Sequence, residues 1–179
     1  DNTSFWRMHE DVPLVVAGVN SEAAQVHKGI GANPNCTTMV MMMALAPLHH
    51  AAGLERLVVS TYQAVSGTGN KAIAELEEQS SRVLAGEPLD EPKVCPHRIA
   101  VNVIPQVETF KDGDDYTTEE RKVMAETRKI LGFGDEVGIS ATCARVPVVS
   151  GHSESINIQT REDLSPDRAR EILGQVSGV

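Results

Sequence analysis

Cys36 stands in the segment Ala32-Asn33-Pro34-Asn35-Cys36-Thr37-Thr38, directly ahead of an apolar run from Met39 to Ala46. Pro34 and its flanking asparagines read as a turn. The run itself, rich in Met, Ala and Leu, reads as a buried helix. The spacing predicts a thiol at a helix N-terminus, where unpaired backbone N–H groups and the positive end of the helix dipole favour thiolate over thiol. A thiolate adds to carbonyl carbon, but it needs an acid/base partner to turn over. A lone cysteine is more often a small buried apolar residue, and spacing alone leaves both readings open.

Six histidines, at 9, 27, 49, 50, 97 and 152, are available as partners. His49 and His50 fall near the end of the Cys36 helix, more than two turns away, too far to serve it. His152 follows Gly151 at a turn between two strand patterns, where its ring either points into a cleft or faces water. Arg145 interrupts the apolar strand pattern Ala144-Arg145-Val146-Pro147-Val148. A guanidinium there suits bidentate capture of a carboxylate; with Pro147 marking an edge strand, it equally suits an arginine facing solvent. Glu119 and Lys122, three residues apart in a first helical turn, more often mark a solvated face than a site. Gly67-Thr68-Gly69-Asn70-Lys71-Ala72 imitates a dinucleotide fingerprint, but a loop, Leu84 to Pro88, occupies the place of the second strand with its acidic residue. Cys95 and His97 lack a second ligand pair at zinc spacing, so no metal is expected.

The elements that must hold these residues follow from pattern. Short strands are expected at 12–17 and 29–32, with a polar helix-prone stretch between them. The Cys36 helix runs to about Ala52 with Pro47 as a kink point. Leu57 to Tyr62 is a β-branched strand. A helix follows from about Asn70 to Leu84, with Ile73, Leu76, Val83 and Leu84 on its apolar face and Gln79 and Ser80 interrupting it. The alternation at Ile99, Val101 and Val103 reads as a half-buried strand. Thr117 and Glu120 are spaced as a capping box for a helix whose apolar stripe is Val123, Met124, Ile130 and Leu131 and which Gly132 ends. Ile139 to Val149 and Ser153 to Thr160 read as two strands of a hairpin. Ser165 and Pro166 suit the cap and first residue of a last helix. The expected fold is α+β, a mixed and largely antiparallel sheet with helices on one face.

Composition narrows the class. With 179 residues the chain can bury a sizeable core. A net charge of −9 without any Lys/Arg cluster argues against nucleic acid and anionic membrane as partners. Three cysteines far apart argue against a disulfide framework and for a reducing compartment. No apolar run reaches the roughly 18 residues of a membrane span. The chain starts at Asp1, in what reads as the middle of a domain, which suggests part of a longer protein.

Several segments, taken together and in order, resemble the aspartate-semialdehyde dehydrogenase family. They are Asp1 to Met8, Asn33 to Thr38, Val59 to Gly67, Asn102 to Gln106, Tyr116 to Lys122, Arg145 to Val148 and Gly151 to Ser153. The resemblance implies Cys36 as nucleophile, His152 as acid/base and Gln63 as the residue orienting the acyl-enzyme. It implies Arg145 on the substrate carboxylate, Glu119 on its amino group and Asn35 in the same pocket. Arg7 and Lys122 match the phosphate pair, and Ser66 and Gly67 match contacts to NADP. By the same resemblance, 1–34 is the tail of a nucleotide-binding domain and 35–179 the catalytic and dimerisation domain, with the Gly-rich NADP loop outside this sequence. The implied protein is a cytoplasmic homodimer or homotetramer of amino-acid biosynthesis acting on aspartate semialdehyde and phosphate. Two other readings stay open on the residues alone: a non-catalytic dimerisation module, and a Cys-His hydrolase or acyltransferase. The nucleophile turn Cys36-Thr37-Thr38 also echoes glyceraldehyde-3-phosphate dehydrogenase, but the segments around Gln63 and His152 fit the semialdehyde family better.

Overall fold

A computed structural model describes residues 1–176. In chain order the elements are α1 (Cys36–Ala52), β1 (Leu54–Gln63), α2 (Asn70–Ala85), α3 (Thr118–Leu131), β2 (Gly138–Arg145), β3 (Ser153–Thr160) and α4 (Pro166–Gly174). The architecture is α+β, as the sequence pattern predicts, around a mixed three-stranded sheet ordered β2-β1-β3. Along β1, buried Leu57, Val59, Thr61 and Gln63 alternate with half-buried Val58 and Ser60 and exposed Tyr62, so one face of the strand is covered and the other open.

Three expected elements differ. β1 lies between β2 and β3, so the expected hairpin does not form. The connection after β2 is instead tied to the chain leaving β1: Val146 N–H donates to the Gln63 carbonyl, and Val148 and Val149 carbonyls accept from Val65 and Ser66. The expected strands at 12–17 and 29–32 reduce to a single parallel bridge, Leu14 with Ala32, joined by a 3-10 helix at Ser21–Val26. The alternation at 99–103 is not a strand either. The N–H groups of Ile99 and Ala100 donate at 2.9 and 3.1 Å to Oε1 of Gln79 rather than to a neighbouring strand, and Val101 turns the backbone at φ 53°.

The chain falls into two compact units. One takes in Asp1–Val59, Arg121–Ala141 and the chain from Ile156 onward; the other takes in Ser60–Glu120 and Thr142–Ser155. The core of the second unit is built on α2. Val65, Ala72, Leu76, Cys95, Ile99, Ala100 and Ile104 form a buried cluster, with Ile73 and Val83 packed against it. Leu84, in the last turn, is left exposed. Gln79, which interrupts the apolar face in sequence, is buried because it satisfies the two N–H groups just named. Glu75 does the same for Lys93, Val94 and Cys95.

In the first unit the apolar residues of α1 supply the core, with Met41, Met42, Leu45 and Ala46 buried. The helix continues through Pro47 to Ala52. The capping box of α3 forms as expected: Glu120 N–H donates to Thr117 Oγ1 at 3.3 Å, and Thr117 N–H donates to Glu120 Oε2 at 2.8 Å. Ser165 caps α4 by accepting the N–H of Arg168 at 3.2 Å, and Pro166 opens that helix.

Candidate active site

Cys36 is the first residue of α1, where the sequence places it. Asn35 caps the helix by accepting the N–H of Thr37 at 2.9 Å, and Cys36, in the first turn, is exposed. The other two thiols are buried and held protonated. Burial, reinforced by the Glu75 carboxylate, pushes Cys95 up to about 11; burial, reinforced by Glu119, Glu120 and Glu154, pushes Cys143 up to about 12. Cys36 is therefore the one accessible thiol of the chain.

The first unit also contains Arg7, Asn35 and Lys122. Arg7 is mostly buried, with Nη1 on Glu126 Oε1 at 3.0 Å and Nη2 on the Asn2 carbonyl at 3.3 Å. Its Nε–H is buried with no partner among the described residues. An orphaned guanidinium donor fits an anion such as phosphate. The second oxygen of Glu126 accepts the backbone N–H of Asn35 at 2.6 Å. Lys129, one turn further along α3, donates to the carbonyls of Arg7, His9 and Val12 at 2.7, 2.7 and 2.8 Å. Neither Glu126 nor Lys129 is apparent as a candidate in the sequence. Their signal is the 3-4-3 spacing of Glu119, Lys122, Glu126 and Lys129, which sets four charged side chains along one face of α3.

The second unit brings together Gln63, Ser66, Gly67, Glu119, Arg145 and His152. Glu119 is only 4% exposed, which rules out the solvated-face reading. Its Oε1 accepts Nε2 of Gln63 at 3.2 Å, and Gln63 Nε2 also reaches Thr61 Oγ1 at 3.3 Å. Arg145 is not a water-facing edge residue either. Its backbone pairs antiparallel with Ile104 at 2.8 and 2.9 Å, and its Nη1 donates to the Ala64 carbonyl at 2.7 Å. The Ala64 N–H donates in turn to Nδ1 of His152 at 3.0 Å. Burial, and then the Arg145 charge, hold the His152 imidazole below its ordinary range against the opposing pull of Glu119. Gly67 borders this group. A Cβ there would lie 3.4 Å from both Arg145 Nη1 and His152 Cε1, so the missing side chain leaves the space beside both groups open. Glu154, which no sequence signal marks, lies two residues beyond His152 on β3. Both its carboxylate oxygens are buried without a partner among the described residues, and burial pushes it up to about 7.

The chain therefore carries an exposed thiol at a capped helix start and a half-buried imidazole under the influence of an arginine and a glutamate. Residues 45–179 match the family described as semialdehyde dehydrogenase, dimerisation domain, and the chain belongs to that family. It is 49% identical over 181 residues to the aspartate-semialdehyde dehydrogenase of Aquifex aeolicus, with all of this chain and 53% of that protein aligned. It is 44% identical over 187 residues to the Bacillus subtilis enzyme of the same name, again covering all of this chain and 53% of that one. The chain thus spans about half the length of the curated relatives it matches. Aspartate semialdehyde dehydrogenase II of Vibrio cholerae, solved in complex with ASA, superposes with a TM-score of 0.94 at 41% identity, over 99% of this chain and 53% of that one. The Candida albicans enzyme, solved with NADP, superposes with a TM-score of 0.68 at 26% identity, over 97% of this chain and 47% of that one.

Among the described residues no helix is long and apolar enough to cross a membrane.

Proposed function

We propose that this chain supplies the catalytic and dimerisation portion of an NADP-dependent, phosphorylating aspartate-semialdehyde dehydrogenase. In this reading 1–34 is the tail of the nucleotide-binding domain and 35–179 the catalytic domain. The observation that carries it is the grouping of His152, Arg145, Glu119 and Gln63 within one unit. A cation and an anion beside a half-buried imidazole suit a substrate with an α-carboxylate, an α-amino group and a reacting carbonyl.

The chemistry follows from the residue types. Cys36 thiolate adds to the aldehyde carbon, forming a C–S bond and moving the carbonyl electron pair to oxygen. Arg145 holds the carboxylate end and Glu119 the ammonium end, so the aldehyde is presented rather than the acid. Because Nδ1 of His152 accepts a backbone N–H, the neutral ring carries its proton on Nε2 and donates a hydrogen bond to the developing oxyanion. Ser66 and Gly67 would line the approach of the nicotinamide, where the absent Cβ fits a flat ring, and NADP when bound supplies the hydride acceptor. Gln63, fixed by Glu119 and Thr61, orients the resulting Cys36 thioester. Arg7 and Lys122 hold phosphate, whose oxygen attacks the thioester carbon. The C–S bond breaks, Cys36 leaves as thiolate and aspartyl phosphate is released. Run in reverse, the same steps make the semialdehyde needed for lysine, threonine and methionine synthesis in the cytoplasm.

The family model is that of a dimerisation domain, and exposed Tyr62 on β1 with exposed Ser153 and Ser155 on β3, all in the second unit, suit contact with a second copy. The protein is accordingly a homodimer or a homotetramer. The test uses the full-length protein: repeated turnover of NADP requires aspartate semialdehyde and phosphate together, and without phosphate reduction stops at one NADP per Cys36. Loss of less than tenfold in activity for Cys36→Ala contradicts the reading.

A further inference from the structure

One buried carboxylate contacts two candidate site residues of the first unit at once. Glu126 is 1% exposed; its Oε1 lies 3.0 Å from Nη1 of Arg7, and its Oε2 accepts the N–H of Asn35 at 2.6 Å. Asn35 is the residue whose side chain caps the helix that Cys36 opens. The two oxygens of a carboxylate are held about 2.2 Å apart by covalent geometry. The guanidinium and the nucleophile turn are therefore set in register through one rigid group. Lys129, on the same helix face, fixes the backbone of the Arg7 segment through three carbonyls. The segment from Asp1 to Val12 has no strand or helix to stiffen it; bonds from Asp1 and Asn2 to Gly31 and Asn33 hold its start, and this attachment to α3 holds the part around Arg7.

We infer that Glu126 is a positioning residue that aligns the Arg7 guanidinium with the Cys36 turn, and so aligns phosphate with the thioester it must cleave. The inference rests on the proposed phosphorylating reading. A buried ion pair is weak ground for stability, because desolvation offsets the Coulomb attraction. Registration of two functional groups explains the geometry better: the carboxylate divides its oxygens between the arginine and the turn rather than gripping the guanidinium with both. The pair also neutralises part of the Arg7 charge, and the Nε–H, buried without a partner among the described residues, is left to donate to an anion. Phosphate then meets a directional donor and the charge of Lys122.

The experiment is a double-mutant cycle in the full-length protein, with Glu126→Gln, Arg7→Lys and the double variant, reading KM for inorganic phosphate, KM for aspartate semialdehyde and kcat. Glu126→Gln is expected to lower kcat at least tenfold and to change KM for phosphate at least threefold while KM for aspartate semialdehyde stays within twofold. The effect of Arg7→Lys on KM for phosphate is expected to shrink at least threefold in the Glu126→Gln background. Equal changes in both KM values, or additive effects of the two substitutions, overturn the inference. Glu126→Asp, which keeps the charge but is too short to hold both groups, is expected to give the same split more weakly. If Glu126→Gln and Glu126→Asp both fail to fold, the carboxylate is structural and the inference falls. A wild-type protein that turns NADP over repeatedly without phosphate overturns the underlying reading instead, so the two failures are told apart.

Discussion

Nδ1 of His152 accepts the backbone N–H of Ala64 at 3.0 Å. That hydrogen bond assigns the neutral tautomer, with the proton on Nε2. It also opposes protonation, since a second proton on Nδ1 would face the Ala64 N–H. Burial and Arg145 act in the same direction. The acid limb of the kcat/KM profile is therefore expected below the ordinary histidine value of about 6.5. In an NMR titration, Arg145→Gln is expected to move the His152 midpoint part of the way back up, because burial, the larger cause, remains. A midpoint at or above the ordinary value in the unaltered protein contradicts this account.

The same histidine and Glu154 impose opposite pH dependences on stability. His152 binds its proton less readily folded than unfolded. Its contribution is thus fully present above about pH 6.5 and is lost as pH falls from there through the depressed folded value. Glu154 is raised from 4.5 to about 7, so its contribution is fully present below the unfolded value and is lost as pH rises through about 7. Glu154→Gln keeps the shape without the ionisation. It is expected to raise Tm by about 2–4 °C near pH 8, the worth of about 1 kcal/mol once the group's residual solvent contact is discounted. Near pH 4 no gain is expected. Equal shifts at both pH values, measured by calorimetry, count against a buried and unpaired carboxylate.

Gly67 gives a test of the space beside the imidazole. A methyl group there reaches ordinary contact with Arg145 Nη1 and His152 Cε1, both at 3.4 Å, and the backbone conformation does not require glycine. Gly67→Ala is expected to leave Tm within about 2 °C and to lower kcat/KM by about tenfold, by filling the space beside the groups that present the substrate. A loss of stability as large as the loss of activity would assign Gly67 a packing role.

Thiol reactivity separates Cys36 from its neighbours. Iodoacetamide on the native protein, followed by peptide mapping, is expected to label Cys36 alone. Cys95 and Cys143 are buried and held protonated, and they should label only after denaturation.

Local signals made much of this structure legible. The helix start at Cys36, the capping box at Thr117 and Glu120, and the Ser165-Pro166 start each depend on residues a few positions apart, and each forms as expected, although residues 33–35 are extended chain rather than the expected turn. The failures are non-local. Strand order depends on which chains pair, and nothing in the 146–152 connection marks that it is tied to the end of β1 rather than turning back on β2. The alternation at 99–103 imitates a strand because periodicity cannot show that Gln79 satisfies those N–H groups from another helix. For the site, residue types and the family resemblance supplied Arg145, Glu119 and His152. Glu126 escaped notice because a glutamate on a polar helix reads as solvated until Arg7, 119 positions earlier in the chain, is found against it.

The central claim is a covalent thioester on Cys36. Full-length protein mixed with aspartate semialdehyde and NADP, without phosphate, and quenched in acid should carry one acyl group. Peptide mass spectrometry should place that group on Cys36, and added phosphate should remove it. An unmodified Cys36 alongside reduced NADP, or an acyl group on any other residue, contradicts the account.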